Sequence, residues 1–173
     1  YSWNMSDKSK SLIKDYKEEE RVWFKRRMVI KRLWATSKDS TKIPITVLSP
    51  KYTKDNYEKR LYMTSYGAYG TGMDVQYSLN YHFWVSLGFT VALVHVRGGD
   101  DMGTEWHEKG LMQYKQNTFD DFIASAELLI EEGYTKKGNI VAEGSSAGGL
   151  LMGAATNMRP DLFKLVILNV PFV

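Results

Sequence analysis

Cysteine is absent from all 173 residues, which excludes a disulfide-stapled scaffold and a thiolate metal cluster and is compatible with a reducing compartment. Histidine is scarce, with three copies, and neither H-E-x-x-H nor a comparable ligand pair occurs. Phosphate-cradling loops are missing too: there is no G-x-x-x-x-G-K and no G-x-G-x-x-G. The longest apolar run, residues 89–96, is far too short to cross a bilayer, and no charged-then-apolar leader opens the chain. A soluble cytoplasmic protein with no cofactor, no metal and no membrane partner is therefore expected. Neither sign of charge dominates, with 23 Lys and Arg against 20 Asp and Glu, so a disordered polyelectrolyte and a strongly basic nucleic-acid binder are both excluded. The small excess of +3 hides an uneven distribution, because residues 1–38 hold 11 basic against 5 acidic side chains. That segment reads as a solvated surface or a linker.

What is present is enough apolar material, 43% of the residues, for one compact core. Residues 1–26 mix aromatics with charge and show no sustained period, so they cannot build a core alone. From Met28 the pattern changes. Residues 28–36 and 43–48 read as paired strands joined by the turn Lys38-Asp39-Ser40-Thr41, and residues 60–64 as a third strand entering Ser65-Tyr66-Gly67-Ala68-Tyr69-Gly70. The loop 49–58 is polar. Beyond it, helices (77–87, then one opened by a Thr118/Asp121 capping box and closed at Gly133, then 146–158) alternate with strands (89–96, 139–143 and 165–170). The first of these strands is a mostly apolar run, as expected of a central strand buried on both faces, and the last reads as another buried strand. Such alternation builds an α/β fold with a mostly parallel sheet between helices.

The strand 139–143 runs straight into Gly144-Ser145-Ser146-Ala147-Gly148, a G-x-S-x-G sequence in the strand–turn–helix setting that makes it a nucleophile elbow. Ser146 is the central residue, and glycines two before and two after leave room for a sharp turn that lifts its hydroxyl clear of the sheet. For the five residues alone, a glycine turn used only for close packing is the alternative.

Five blocks now appear in order: Ser65 to Gly70, His95-Val96-Arg97-Gly98-Gly99, Asn117-Thr118-Phe119-Asp120-Asp121-Phe122, Gly144 to Gly149, and Arg159-Pro160-Asp161-Leu162-Phe163. Together they resemble the prolyl oligopeptidase family of serine peptidases. Ala147 after the serine and the ending Val170-Pro171-Phe172-Val173 look more like its oligopeptidase B branch, while Ser145 and Asp100 depart from the pattern. The resemblance implies an α/β-hydrolase catalytic domain, represented by residues 27–173 as its N-terminal portion and incomplete at its C-terminal end. Residues 1–26 would then be the end of a β-propeller and the inter-domain connection. It also implies an oxyanion hole from the Ala147 N–H and the Tyr66 hydroxyl, and short peptide substrates cut after Arg or Lys. An aromatic anchor is the alternative for Tyr66.

A serine nucleophile needs a base, usually His oriented by Asp, in the chain order Ser, Asp, His for this fold. His82, His95 and His107 all precede Ser146, and Asp161 alone among acids follows it. The triad Asp and His are accordingly expected outside this chain. His82 is expected on a partly buried helix face, His95 as a satisfied core residue and His107 in a solvated acidic loop. Arg97 is a candidate substrate contact, with a loop-bracing salt bridge as the alternative. Two further readings stay open: a non-catalytic remnant that binds peptide or protein, and a general esterase on the same fold.

Overall fold

Residues 2–13, 28–51, 59–73, 76 and 78–172 are described by a computed structural model. The expected connection over residues 14–26, the loop residues 52–58 and the expected helix start at Tyr77 lie outside them. Ser2–Trp3 (β1) and Lys10–Ser11 (β2) pair antiparallel in a small sheet of their own. All other strands join one sheet: Met28–Thr36 (β3), Lys42–Pro50 (β4), Arg60–Thr64 (β5), Phe89–Val94 (β6), Ile140–Ser145 (β7) and Phe163–Asn169 (β8). Their order is β3-β4-β6-β5-β7-β8. β5 through β8 run parallel, and β4 is antiparallel to both of its neighbours.

The two-residue side-chain period of a strand sorts the core onto the two faces. Ile43, Ile45, Leu61 and Met63 face Lys115–Glu131 (α3) and Ala147–Met158 (α4), whose Phe122, Ala126, Leu129, Leu151 and Met152 complete that layer. Leu48, Tyr62, Val91 and Val141 face the other way, onto Val85 and Trp84 of Leu79–Ser86 (α1). Each such side chain, once fully buried, contributes about 1.5–3 kcal/mol relative to exposure. A short helix, Thr104–Glu108 (α2), follows β6.

Two expectations need correction. The Thr118/Asp121 capping box does not form, because α3 begins at Lys115 after a 3-10 turn, Met112–Tyr114. Thr118 Oγ1 instead donates to the Arg97 carbonyl (2.8 Å) and Asp121 is drawn to the Arg97 side chain. A buried guanidinium outranks a helix cap in its demand for a carboxylate. The last strand is also not buried on both faces. It begins at Phe163 and, among the described residues, stands last in the strand order with Leu165 51% and Leu168 44% exposed.

Parallel strands share a direction, so the segments leaving β5, β6 and β7 emerge at one edge of the sheet. Those segments carry Tyr66, Arg97 and Ser146. The carboxyl edge of a parallel sheet is where open α/β folds place their ligands.

Candidate active site

Ser146 occupies the single residue between β7 and α4, with φ 54° and ψ −115°. A positive φ in a non-glycine residue costs on the order of 1–3 kcal/mol and persists only where surrounding contacts enforce it. Here the Ser146 N–H donates to the Asn169 carbonyl on β8 (2.9 Å), and its own carbonyl accepts from Gly149 and Leu150 (3.0 and 3.3 Å). The flanking glycines are required for space. A Cβ at Gly144 would overlap the Gly148 carbonyl, and one at Gly148 would lie 2.7 Å from the Ser65 carbonyl and 3.6 Å from Cδ2 of the Tyr66 ring. The elbow and the Tyr66 loop are therefore in contact. Ala147 is buried and heads α4, so its N–H is among those that a helix leaves without an internal acceptor.

Tyr66 lies two residues beyond β5 and is half-buried. Ser65 Oγ donates to the Val94 carbonyl (2.7 Å), anchoring the start of the loop. Farther on, the Gly70 N–H donates to the Gly98 carbonyl (3.0 Å) and Lys115 Nζ donates to the Gly67 carbonyl. Burial pulls the Lys115 ammonium below the usual lysine range. A Cβ at Gly98 would overlap the Gly67 carbonyl. Only glycine lets the two loops lie this close.

Arg97 is 1% exposed. Its Nε and main-chain N–H donate to Asp121 Oδ2 (2.9 and 3.0 Å), Nη2 to Asp121 Oδ1 (2.6 Å), and Nη1 to Asp39 Oδ2 (2.5 Å). Ser37 Oγ joins the cluster by donating to Asp121 Oδ1 (2.7 Å). Burial opposes the charge on Arg97, but the bonds to Asp121 and Asp39 outweigh it and hold the guanidinium above its ordinary pKa. The side chain is sealed among these partners, in the loop-bracing salt bridge named as the alternative for Arg97.

Asp39 feels the same pairing, and its hydrogen bond to Arg97 holds its carboxyl at about 2 against an ordinary 3.8. A carboxylate lowered on folding adds stability that is full above its unfolded value and is lost as pH falls through the folded one. The stability difference between the native protein and Asp39→Asn should therefore be constant at neutral pH and shrink between pH 3.8 and about 2, as read from urea midpoints across that range.

The histidines serve the frame. His95 is buried, with Nε2 bonded to Thr46 Oγ1 (2.8 Å) and Nδ1 to Asp101 Oδ1 (2.7 Å). His82, buried on α1, bonds through Nδ1 to the Ser78 carbonyl (2.8 Å). His107 departs from expectation: rather than lying in a solvated acidic loop it is half-buried against Gly70, and Nδ1 donates to the Gly98 carbonyl (2.9 Å). Asp161 pairs with Arg159 (2.9 Å) and Lys137 (2.7 Å), and Arg159 above all holds its carboxyl well below the usual range. Sequence reasoning missed two members of these networks. Asp39 reads only as a turn residue, and Ser37 carries no signal of its own. Among the described residues no three His, Cys, Asp or Glu side chains are arranged to hold a metal ion, and no helix is long and apolar enough to cross a membrane.

The sequence pattern of the prolyl oligopeptidase family matches residues 75–173. Dipeptidyl aminopeptidase BI of Pseudoxanthomonas mexicana is 41% identical over 146 residues, 84% of this chain and 20% of that protein. Protease 2 of Moraxella lacunata is 42% identical over 142 residues, 82% of this chain and 21% of that protein. Among solved structures, oligopeptidase B from Leishmania major superposes with a TM-score of 0.81 at 42% identity, over 86% of this chain and 21% of that one. Oligopeptidase B from Trypanosoma brucei with covalently bound antipain gives the same TM-score at 41% identity, again over 86% and 21%. The chain thus spans about a fifth of the length of the curated relatives it matches. With the family pattern covering more than half of its residues and a sheet that superposes on those structures, this chain belongs to the prolyl oligopeptidase family and has the α/β-hydrolase fold.

Proposed function

We propose that this chain is part of a serine oligopeptidase that cleaves short peptides after Arg or Lys, with Ser146 as nucleophile. The observation that carries the reading is the backbone of Ser146, φ 54° on a G-x-S-x-G turn between a parallel strand and a helix. Strain of that kind is maintained where a side chain must be aimed. The triad Asp and His are supplied by residues outside this chain, as is a β-propeller that restricts access to short peptides. Residues 1–26 are the end of that propeller and the connection into the hydrolase domain. The basic-residue preference is supported by the likeness to the two oligopeptidase B structures.

In this reading Ser146 Oγ attacks the scissile carbonyl carbon while the His base takes its proton. The carbonyl oxygen becomes an oxyanion, met by the Ala147 N–H, the Tyr66 hydroxyl and the positive end of α4. Collapse of the tetrahedral intermediate expels the amine, which takes the proton back from His, and leaves an acyl-serine. Water, deprotonated by the same base, then releases the acid product. The donors are fixed before charge develops, so their effect falls on the transition state rather than on substrate binding.

Tyr66→Phe in the full-length peptidase should therefore lower kcat on an Arg-Arg coumarin reporter by about 100-fold to 1000-fold, or about 2.7–4 kcal/mol, with KM little changed. Steady-state kinetics decide it. A kcat within about twofold of the parent combined with a raised KM would make Tyr66 a packing or binding residue.

A further inference from the structure

The elbow is held from one more direction, by a carboxylate three residues before the serine. Glu143 sits on β7, half-buried, on the sheet face that carries Tyr62 and Val141 beneath α1. Its Oε2 accepts from the Tyr62 hydroxyl of β5 (2.9 Å), and its Oε1 accepts from Asn169 Nδ2 at the end of β8 (2.9 Å). One carboxylate thus links three neighbouring strands. Asn169 is also the residue whose main-chain carbonyl takes the Ser146 N–H. Its side chain is tied to Glu143 and its backbone to the nucleophile.

The chain after Asn169 shows why that tie matters. Val170 has φ 42°, a genuine outlier for a β-branched residue. Pro171 then lies against α4, where a Cβ at Gly149 would meet its Cβ at 2.7 Å. The chain at the end of β8 therefore turns onto α4. The hydrogen bond from Asn169 to Glu143 fixes the side chain of the residue at which that turn starts. Burial, and then the charge of Glu143, raise the pKa values of Tyr62 and Tyr81, so both phenols stay protonated beside the carboxylate.

We infer that Glu143 is a positioning residue of the peptidase site: through Asn169 it fixes the carbonyl that holds the Ser146 N–H, and with it the aim of the serine hydroxyl. The inference rests on the reading of Ser146 as nucleophile. A purely structural network would lower stability when broken but would not single out kcat.

A polarity swap tests it in the full-length peptidase with the Arg-Arg coumarin reporter. Asn169→Asp sets a second carboxylate against Glu143, and kcat should fall between about 10-fold and 100-fold with KM within about twofold, as for a small misplacement of a reacting group. Glu143→Gln combined with Asn169→Asp restores a donor facing an acceptor. The amide introduced on β7 can donate to the carboxylate introduced on β8, while its oxygen still accepts from the Tyr62 hydroxyl. The pair should bring kcat back to within about threefold of the parent. Asn169→Ala, which removes the amide without adding charge, should lower kcat in the same sense and stands in if Asn169→Asp does not fold. A kcat unaffected by Asn169→Asp or Asn169→Ala, a loss confined to KM, or a loss that the swap leaves unrepaired would each overturn the inference. Ser146→Ala in the same assay separates the two levels. If Ser146→Ala is inactive and Asn169→Asp is not impaired, only the role of Glu143 fails. If Ser146→Ala stays active, the nucleophile reading fails with it.

Discussion

Ser146→Ala in the full-length peptidase is expected to lower kcat on the Arg-Arg coumarin reporter by about a millionfold, the scale seen when a serine hydrolase loses its nucleophile. The loss should leave binding of a competitive peptide inhibitor nearly unchanged, since one hydroxyl contributes little to ground-state contacts. The neighbouring Ser145 offers no substitute. It is the last residue of β7, paired in register with Asn169, and it does not occupy the strained position of the elbow. Activity within about tenfold of the parent in Ser146→Ala would place the nucleophile elsewhere. The main-chain geometry would then be a packing turn, as the glycine contacts of Gly144 and Gly148 alone would permit.

The second large effect is on stability. Asp121→Ala should lower the thermal unfolding midpoint by roughly 6–20 °C, from about 3–5 kcal/mol for leaving one half of a buried ion pair uncompensated and about 2–4 °C per kcal/mol for a domain of this size. The Asp121 side chain is 0% exposed and that of Arg97 is 2%, so water cannot replace the lost carboxylate. Asp39, 45% exposed, can hold only the outer edge of the guanidinium. The double change Arg97→Met with Asp121→Leu should be milder than Asp121→Ala alone, because it removes both charges and fills the space with apolar atoms. Circular dichroism melts of the three proteins measure this. A midpoint within about 2 °C of the parent in Asp121→Ala would show that the pair contributes little to the fold.

Much of the architecture is legible in local pattern. The two β-strands flanking Lys38-Asp39-Ser40-Thr41, the strand Arg60–Thr64 and the helix Ala147–Met158 lie within a residue or two of where periodicity and turn chemistry place them. The G-x-S-x-G turn is equally local, because five adjacent residues and the elements beside them determine it. Side-chain partnership is a different matter. The Thr118 and Asp121 spacing fits a helix cap, yet both side chains are taken by Arg97 some twenty residues away in sequence. His107, surrounded in sequence by acids, turns to a glycine carbonyl in another loop.

What the sequence by itself determined is therefore the succession of elements, the α/β class and the position of the strained serine, all of which depend on contacts within a few residues. Only the tertiary structure decided that Arg97 is a brace, that Asp39 and Ser37 complete it across separations of 58 and 84 residues, and that Glu143 reaches Tyr62 across 81 and Asn169 across 26. The physical reason is that a buried charge or hydroxyl must find a partner wherever the sheet order brings one. That order, β3-β4-β6-β5-β7-β8, sets beside one another residues that the chain keeps far apart.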